Sequence, residues 1–576
     1  MAKAKEAEKT ETLRHMHASE PQSGGKMEFP SLAVTGDWKA IFHKEAKPKL
    51  EEVLPDFLCA QRWFGGKARR IRSVELEDSI QVPHDSKVVY LTILRVNYAE
   101  GAPETYVLPV AFVTGTEAES LQSESPLAII ARLTAHGQNG VLVGAMRDSS
   151  FCNALLDAIG SRKSFESDSG GEVRGVPTRA FRRLAGQDTS CLVPSLMHAE
   201  QSNSSIAYGD RLILKVFRRL DEGINPDLEI GAFLTEAGFA HIPPVGGFLE
   251  YRKGEGDPIT LGILQGFIRS EGDAWSFTLD ALSRYYARVS THAGELRPEA
   301  FPENNLWERL GQAPHPEERG LIGTYLEAVG LLGRRTAELH LALASYEGSQ
   351  AFAPEPFSPV YQRSLYQSMR NMAAQTYQLL GERLPALPEA LQQEARKVQA
   401  LEAQVLERFR PVLERKITAL RTRVHGDYHL GQVLYTGSDF VIIDFEGEPA
   451  RPMSERRNKR SPLRDVAGML RSFHYAAYGA LMGRIGTTTV RLEDLPAMEP
   501  WADRWYATVS SVFLKTYLEV VAHAPFLPQA WEELMILLDA YQLEKAIYEM
   551  AYELNNRPDW LRIPVRGILH MLADSH

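Results

Sequence analysis

The sequence predicts an α+β protein, with a β-rich N-terminal cap followed by a two-lobed body whose second lobe is largely helical. Three observations carry this prediction. Segments 86–94 and 105–113 are rich in β-branched and aromatic residues with stretches of alternation, as strands require. A further strand pattern at 211–217 precedes a turn signal, Gly223-Ile224-Asn225-Pro226, and a helix beginning at Asp227. Later, helical periodicity such as that of 321–343 dominates, interrupted by short β-type runs within 432–443.

In chain order, residues 1–36 mix charges with Ser, Gly and Pro, lack the apolar stretch of a signal peptide, and read as a disordered tail. Residues 37–125 form the cap. It opens with a short helix carrying Leu54, Phe57 and Leu58, then the turn Gln61-Arg62-Trp63-Phe64-Gly65-Gly66-Lys67, where Trp63 and Phe64 serve as core anchors. Residues 126–268 form the first lobe, with an exposed loop at 164–175, and residues 269–576 the helical lobe containing the 432–443 runs.

The chemistry concentrates in His425-Gly426-Asp427-Tyr428-His429-Leu430-Gly431-Gln432 and the following Ile443-Asp444-Phe445-Glu446. In phosphoryl transfer one carboxylate orients the acceptor hydroxyl, while an amide oxygen and a second carboxylate hold the magnesium that neutralises the nucleotide phosphates. Asp427 fits the first role, Gln432 and Asp444 the second. The runs 432–435 and 440–443, joined by Thr436-Gly437-Ser438-Asp439, predict a hairpin that folds Asp444 back beside Gln432. Gln432 and Glu446 stand where the protein-kinase pattern has Asn and Gly, so the amide works on a longer arm.

Upstream, Lys215 on the 211–217 strand is the candidate for gripping nucleotide phosphates, with Glu229 on the next helix as its partner. Ser202 and Ser204, in the polar turn 200–206, are placed to cover phosphates, and the backbone at Gln265 and Phe267 to meet the adenine edge. Two other readings stay open: a hydrolase using His425, Asp427 and His429 as metal ligands, and a non-catalytic nucleotide-binding scaffold. Asp465, near the helix start Ser461-Pro462, is expected to accept backbone N–H bonds from the Asp427 loop. The run Arg456-Arg457-Asn458-Lys459-Arg460 reads as a solvated loop or as cations beside the anionic cleft.

Together these residues resemble the aminoglycoside-phosphotransferase-like kinases, whose fold is protein-kinase-like. The block from His425 to Gln432, Asp444-Phe445-Glu446-Gly447-Glu448-Pro449, the segment 461–472 and the early 61–67 turn are similar to the bacterial maltokinases. The resemblance implies ATP and Mg2+ as cofactors and phosphorylation of maltose at its anomeric hydroxyl. It further implies a place in α-glucan synthesis and a functional link to trehalose synthase. Another acceptor, such as glucosamine, shares the same motifs.

Between 541 and 554, Leu543, Ile547, Met550 and Leu554 form one helical stripe; Tyr541, Lys545, Tyr548 and Tyr552 form another on the opposite face. The second stripe would suit a disaccharide, with rings stacking and polar tips bonding hydroxyls; a helix buried on both sides is the alternative. The resemblance favours Lys545 and Tyr552 as substrate contacts, with Tyr548 and Glu446 beside them.

Bulk properties exclude more than they identify. The 576 residues carry a net charge of −10, which argues against a nucleic-acid partner held by general electrostatics. No apolar run reaches membrane-spanning length. Cys59, Cys152 and Cys191 lack pair or ligand spacing, which fits a reducing, cytoplasmic setting with each thiol as a small buried hydrophobe.

Overall fold

The computed structural model describes residues 28–84, 87–189, 191–197, 203–291, 306–345, 349–448, 451–483 and 494–573. Two compact units emerge, residues 1–151 and 152–576.

The first unit is built on a sheet whose strands run in the order Ser31–Val34, Ile129–Ala135, Gln138–Gly144, Glu104–Thr114, Lys87–Tyr98, Ile71–His84. The first pair is parallel and the rest are antiparallel. Buried and solvent-facing side chains alternate along Ile71–His84, the period expected of a strand covered on one face. Helix Lys47–Ala60 contributes Leu50, Leu54, Phe57 and Leu58 to the core. The expected cap boundaries at 37 and 125 are corrected at both ends. The strand at 31–34 and the hairpin of Ile129–Ala135 with Gln138–Gly144 complete this sheet, their backbone hydrogen bonds being made within it.

The 61–67 turn is clasped from within the same unit. Phe64 is buried, and the Gln61 amide donates to the Phe57 and Leu127 carbonyls at 3.2 and 2.9 Å. Glu104 accepts from both Tyr98 and Tyr106 hydroxyls at 2.7 Å and pairs with Arg69 at 2.6 Å. A Cβ on Gly66 would lie 2.2 Å from the Tyr98 hydroxyl, so only glycine lets the turn pass this brace.

The second unit opens with an antiparallel sheet in the order Ser164–Glu166, Gly171–Pro177, Val245–Lys253, Ile259–Gly266, Leu212–Phe217, Asn203–Tyr208, Pro194–Leu196. Its first two strands form a hairpin where the sequence suggested an exposed loop. Helices then dominate. Leu463–Leu481 is buried almost along its whole length and packs against Ala274–Thr291, Leu495–Val520 and Trp531–Asn556. The expected helix over 321–343 is two, Pro316–Ile322 and Tyr325–Ala344, split at Gly323, whose φ of +72° breaks the helical path. Cys152 is buried, but Cys59 and Cys191 are exposed, contrary to expectation. No helix among the described residues is long and apolar enough to cross a membrane.

Candidate active site

The predicted hairpin forms from Val433–Tyr435 and Phe440–Ile442, with Leu434 facing Val441 across the ladder. Thr436 N–H donates to the Asp439 carbonyl at 2.9 Å and Gly437 takes φ +90°, which closes the turn. The next rung, Ile443 N–H to the Gln432 carbonyl at 3.0 Å, brings Asp444 opposite Gln432, whose amide donates to it at 2.9 Å. Asp444 itself sits at φ +67°, a conformation uncommon outside glycine and found where a site fixes the backbone.

Asp465 holds the preceding loop as expected. Its carboxylate accepts from the His425 and Gly426 amides at 2.7 and 2.9 Å and lies 3.1 Å from His340 Nε2. His425 Nε2 is 2.9 Å from the Ile443 carbonyl, and His429 Nδ1 accepts from Gly431 N–H at 3.1 Å. These two rings brace the loop instead of converging with Asp427 on a metal.

Lys215 lies on the strand Leu212–Phe217, its Nζ 2.6 Å from Asp444, 2.6 Å from Glu446 and 3.3 Å from Asp227. The expected partner Glu229 is elsewhere: it meets Arg423 at 2.6 Å and Arg457 at 2.8 and 3.1 Å. Asn225 caps helix Pro226–Glu236 by accepting from Asp227 N–H, and residues two apart on a helix point roughly 200° apart. With Asp227 turned toward Lys215, Glu229 necessarily faces away. Asp227 also accepts from Phe445 N–H at 3.0 Å, so one carboxylate holds both the lysine and the chain beside Asp444.

Three carboxylates surround one ammonium. Burial opposes the charge on Lys215, yet Asp444, Glu446 and Asp227 raise its pKa well above the usual lysine value. Burial likewise works against ionised Asp444, but Lys215 brings that carboxyl down to about 2. Glu446 moves the other way, raised by burial and, despite Lys215, by the charges of Asp444 and Asp227. Asp227, Asp444 and Glu446 offer oxygen atoms within 4.8 Å of one another, a donor set that fits a hard divalent cation of the magnesium type. The Gln432 amide lies beside it.

Other expected contacts are redistributed. Glu446, expected at the acceptor, belongs to the Lys215 cluster and also accepts from Asn203 Nδ2 at 3.2 Å. Asn203 was not anticipated; its only sequence signal is its place in the polar 200–206 turn. The Ser204 hydroxyl accepts from Arg218 Nε at 2.8 Å, which points it at protein instead of a phosphate, and Ser202 lies outside the described residues. Gln265 is paired on both sides within the sheet, with Ile213 and Val245, and Phe267 N–H is taken by the Arg211 carbonyl at 2.8 Å. That amide is therefore not offered to an adenine edge. The basic run is paired as well: Arg456 with Asp221, Arg457 with Glu229 and Lys459 with Glu355.

On the other side of Asp427, helix Trp531–Asn556 places Lys545 Nζ 3.2 Å from Asp427 and 3.6 Å from Glu448. Leu543, Ile547, Met550 and Leu554 are buried as predicted, but so is Tyr541, so its end of the aromatic stripe is core. Tyr548 lies under the Lys545 ammonium at 4.9 Å, and Tyr552 remains 47% exposed. Glu448, unnoticed as a site residue in the sequence, pairs with Arg451, Arg464 and Lys545, while Arg464 also holds Glu544 at 2.9 Å. The depression bounded by Asp427, Glu448, Arg451 and Lys545 is narrow, about 20 Å³.

Residues 57–148 match the maltokinase N-terminal cap domain, and residues 319–448 match the phosphotransferase enzyme family. The chain carries a maltokinase-type cap and a phosphotransferase-family region. The chain is 23% identical to a glucosamine kinase of Streptacidiphilus jiangxiensis over 378 residues, 65% of the chain and 72% of the relative. A glucosamine kinase of Mycolicibacterium smegmatis is also 23% identical, over 65% of the chain and 79% of the relative. Among solved structures, a glucosamine kinase in complex with glucosamine, ADP and inorganic phosphate superposes with a TM-score of 0.56 at 18% identity, covering 87% of this chain and 94% of that one. A second crystal form of a glucosamine kinase gives 0.58, with 89% and 97% covered at 18% identity. The chain thus has the kinase-like fold.

Proposed function

We propose that this phosphotransferase moves the γ-phosphoryl group of ATP to the anomeric hydroxyl of maltose, giving maltose 1-phosphate for α-glucan synthesis. Asp427 orients the acceptor hydroxyl and receives its proton; Lys215 holds the nucleotide phosphates, with Asp227 fixing the lysine. Gln432 and Asp444, with the carboxylates beside them, would hold magnesium, which supplies charge neutralisation at the phosphates. Lys545 steadies Asp427 and, with Tyr548 and Tyr552, meets the sugar. Catalysis of this kind rests on positioning and electrostatics and needs no covalent enzyme intermediate.

One observation bears most on the acceptor: its wall is charge-balanced. Asp427 and Glu448 face Lys545, Glu448 also meets Arg451 and Arg464, and Glu544 meets Arg464. No carboxylate of this group is left without a cation to receive a sugar ammonium, so a neutral sugar suits the wall. The maltokinase-type cap supports maltose as that sugar. Glucosamine is the second reading, favoured by the names of the similar kinases. A functional link to trehalose synthase follows only if maltose is the acceptor.

Phosphorus and proton NMR with Mg-ATP and maltose, glucosamine, glucose or no sugar tests the proposal. An anomeric phosphate formed with maltose alone is the expected result. Product with glucosamine instead moves the substrate, and inorganic phosphate released without any sugar sinks the kinase reading.

A further inference from the structure

Helix Trp531–Asn556 has a second cavity on its other side. It encloses about 330 Å³, within the usual range of small-molecule pockets. Its wall includes Trp307, Tyr506, His474, Asp539 and Gln542, none of which borders the depression at Asp427. Both nitrogens of His474, a residue 2% exposed, lack a hydrogen-bond partner among the described residues. An unpaired buried imidazole is costly unless something else supplies partners. Burial, together with Arg471, His570 and Arg566, holds His474 well below its ordinary pKa, so the ring is neutral, with one donor and one acceptor nitrogen.

The remaining groups narrow the ligand. Arg471 is held by Glu549 at 2.7 Å, which leaves Arg408 against Glu532 and Asp539 on the wall and gives an anion no advantage. Gln542 accepts from the Tyr506 hydroxyl at 3.3 Å, and Asp539 accepts from Trp307 Nε1 at 3.1 Å. Polar tips therefore stand beside aromatic faces. A ligand bearing several groups that each donate and accept, on a skeleton with apolar C–H faces, suits the amide, the carboxylates and the aromatic faces together.

We infer that this cavity is a second binding site, separate from the acceptor pocket, for a neutral saccharide. The site is independent of which sugar is phosphorylated.

Calorimetric titration of the full chain with maltose, glucose and inorganic phosphate tests it, on the wild type and on Gln542→Leu and His474→Phe. Two saccharide sites are expected in the wild type, and in each variant one is weakened at least tenfold while the acceptor KM in phosphoryl transfer stays unchanged. Ile536→Trp, which fills the cavity and leaves the polar groups in place, should also remove that site. Saccharide binding unaltered in all three variants overturns the inference, as does a cavity that takes phosphate in preference to sugar. If maltose is not the acceptor, turnover with maltose is lost while this site persists, so the two proposals fail separately.

Discussion

Lys545 and Asp427, 118 positions apart, meet at 3.2 Å across the narrow depression, joining helix Trp531–Asn556 to the loop that presents the proposed base. The contact divides the proposed chemistry between two variants. Asp427→Asn should lower kcat by about 10²–10⁴-fold, the scale of a lost general base, and leave nucleotide affinity largely intact. Titration of ATP into the variant checks it; a parallel collapse of nucleotide binding counts against the assignment.

Lys545→Met should act on the sugar side. Asp427 loses its positioning cation, while Glu448 keeps Arg451 and Arg464. Steady-state kinetics should show a higher acceptor KM and a loss of about 10²-fold in kcat/KM, with the KM for ATP little changed.

Asp227 and Glu229 should separate cleanly even though only one residue lies between them. Asp227→Asn removes a carboxylate from Lys215 and from the cation cluster, so nucleotide affinity in the presence of Mg2+ falls. Glu229→Gln leaves buried Arg423 without its anion and costs about 3–5 kcal/mol of stability, with nucleotide affinity retained by the folded protein. Denaturant titration and nucleotide binding on both variants distinguish them.

Asp465 supplies a pH test. Burial pushes its carboxyl pKa up, but the His340 hydrogen bond, the His340 and His425 charges and the Gly426 amide outweigh it, and the net shift is downward. An acid depressed in the folded state adds stability above its unfolded pKa and loses it as pH falls through the folded value. Wild-type stability should therefore erode as pH drops below about 4, the unfolded aspartate range. Asp465→Asn should be weaker at pH 7 and show a flatter acid limb in thermal unfolding from pH 7 to 3.

Gly66→Ala should destabilise the first unit by about 1–3 kcal/mol, since the added methyl meets the Tyr98 hydroxyl. Paired with Tyr98→Phe, little of that loss should return, because Phe64 Cζ and Tyr98 Cε1 would still lie 2.7 and 2.9 Å from the methyl; differential scanning calorimetry can resolve this.

What the sequence disclosed is local. The hairpin and the Asp444–Gln432 approach depend on turn chemistry and short spacings. Lys215 was legible from the strand around it, but its partner was not: choosing Asp227 or Glu229 requires knowing the helical face, and a shift of two residues reverses it. Glu229 and Arg423 are 194 positions apart, and no local pattern announces such a pair. Periodicity divided the 541–554 helix into two faces, yet could not say that Tyr541 would be covered. The cap boundary was missed because the strand at 31–34 is four residues long, and the partner that gives it meaning lies far downstream.

That pairing also orders events during synthesis. Ser31 faces Arg132 in parallel register, 101 positions later, and Val34 faces Ala135. A ribosome must make the whole intervening stretch before the first strand can dock, whereas the antiparallel hairpin of Ile71–His84 with Lys87–Tyr98 can close as soon as it emerges. Within the first unit, the strand at 31–34 is thus among the last of the described strands to find its place, and until then the exposed edge of Ile129–Ala135 is open to strands from other chains.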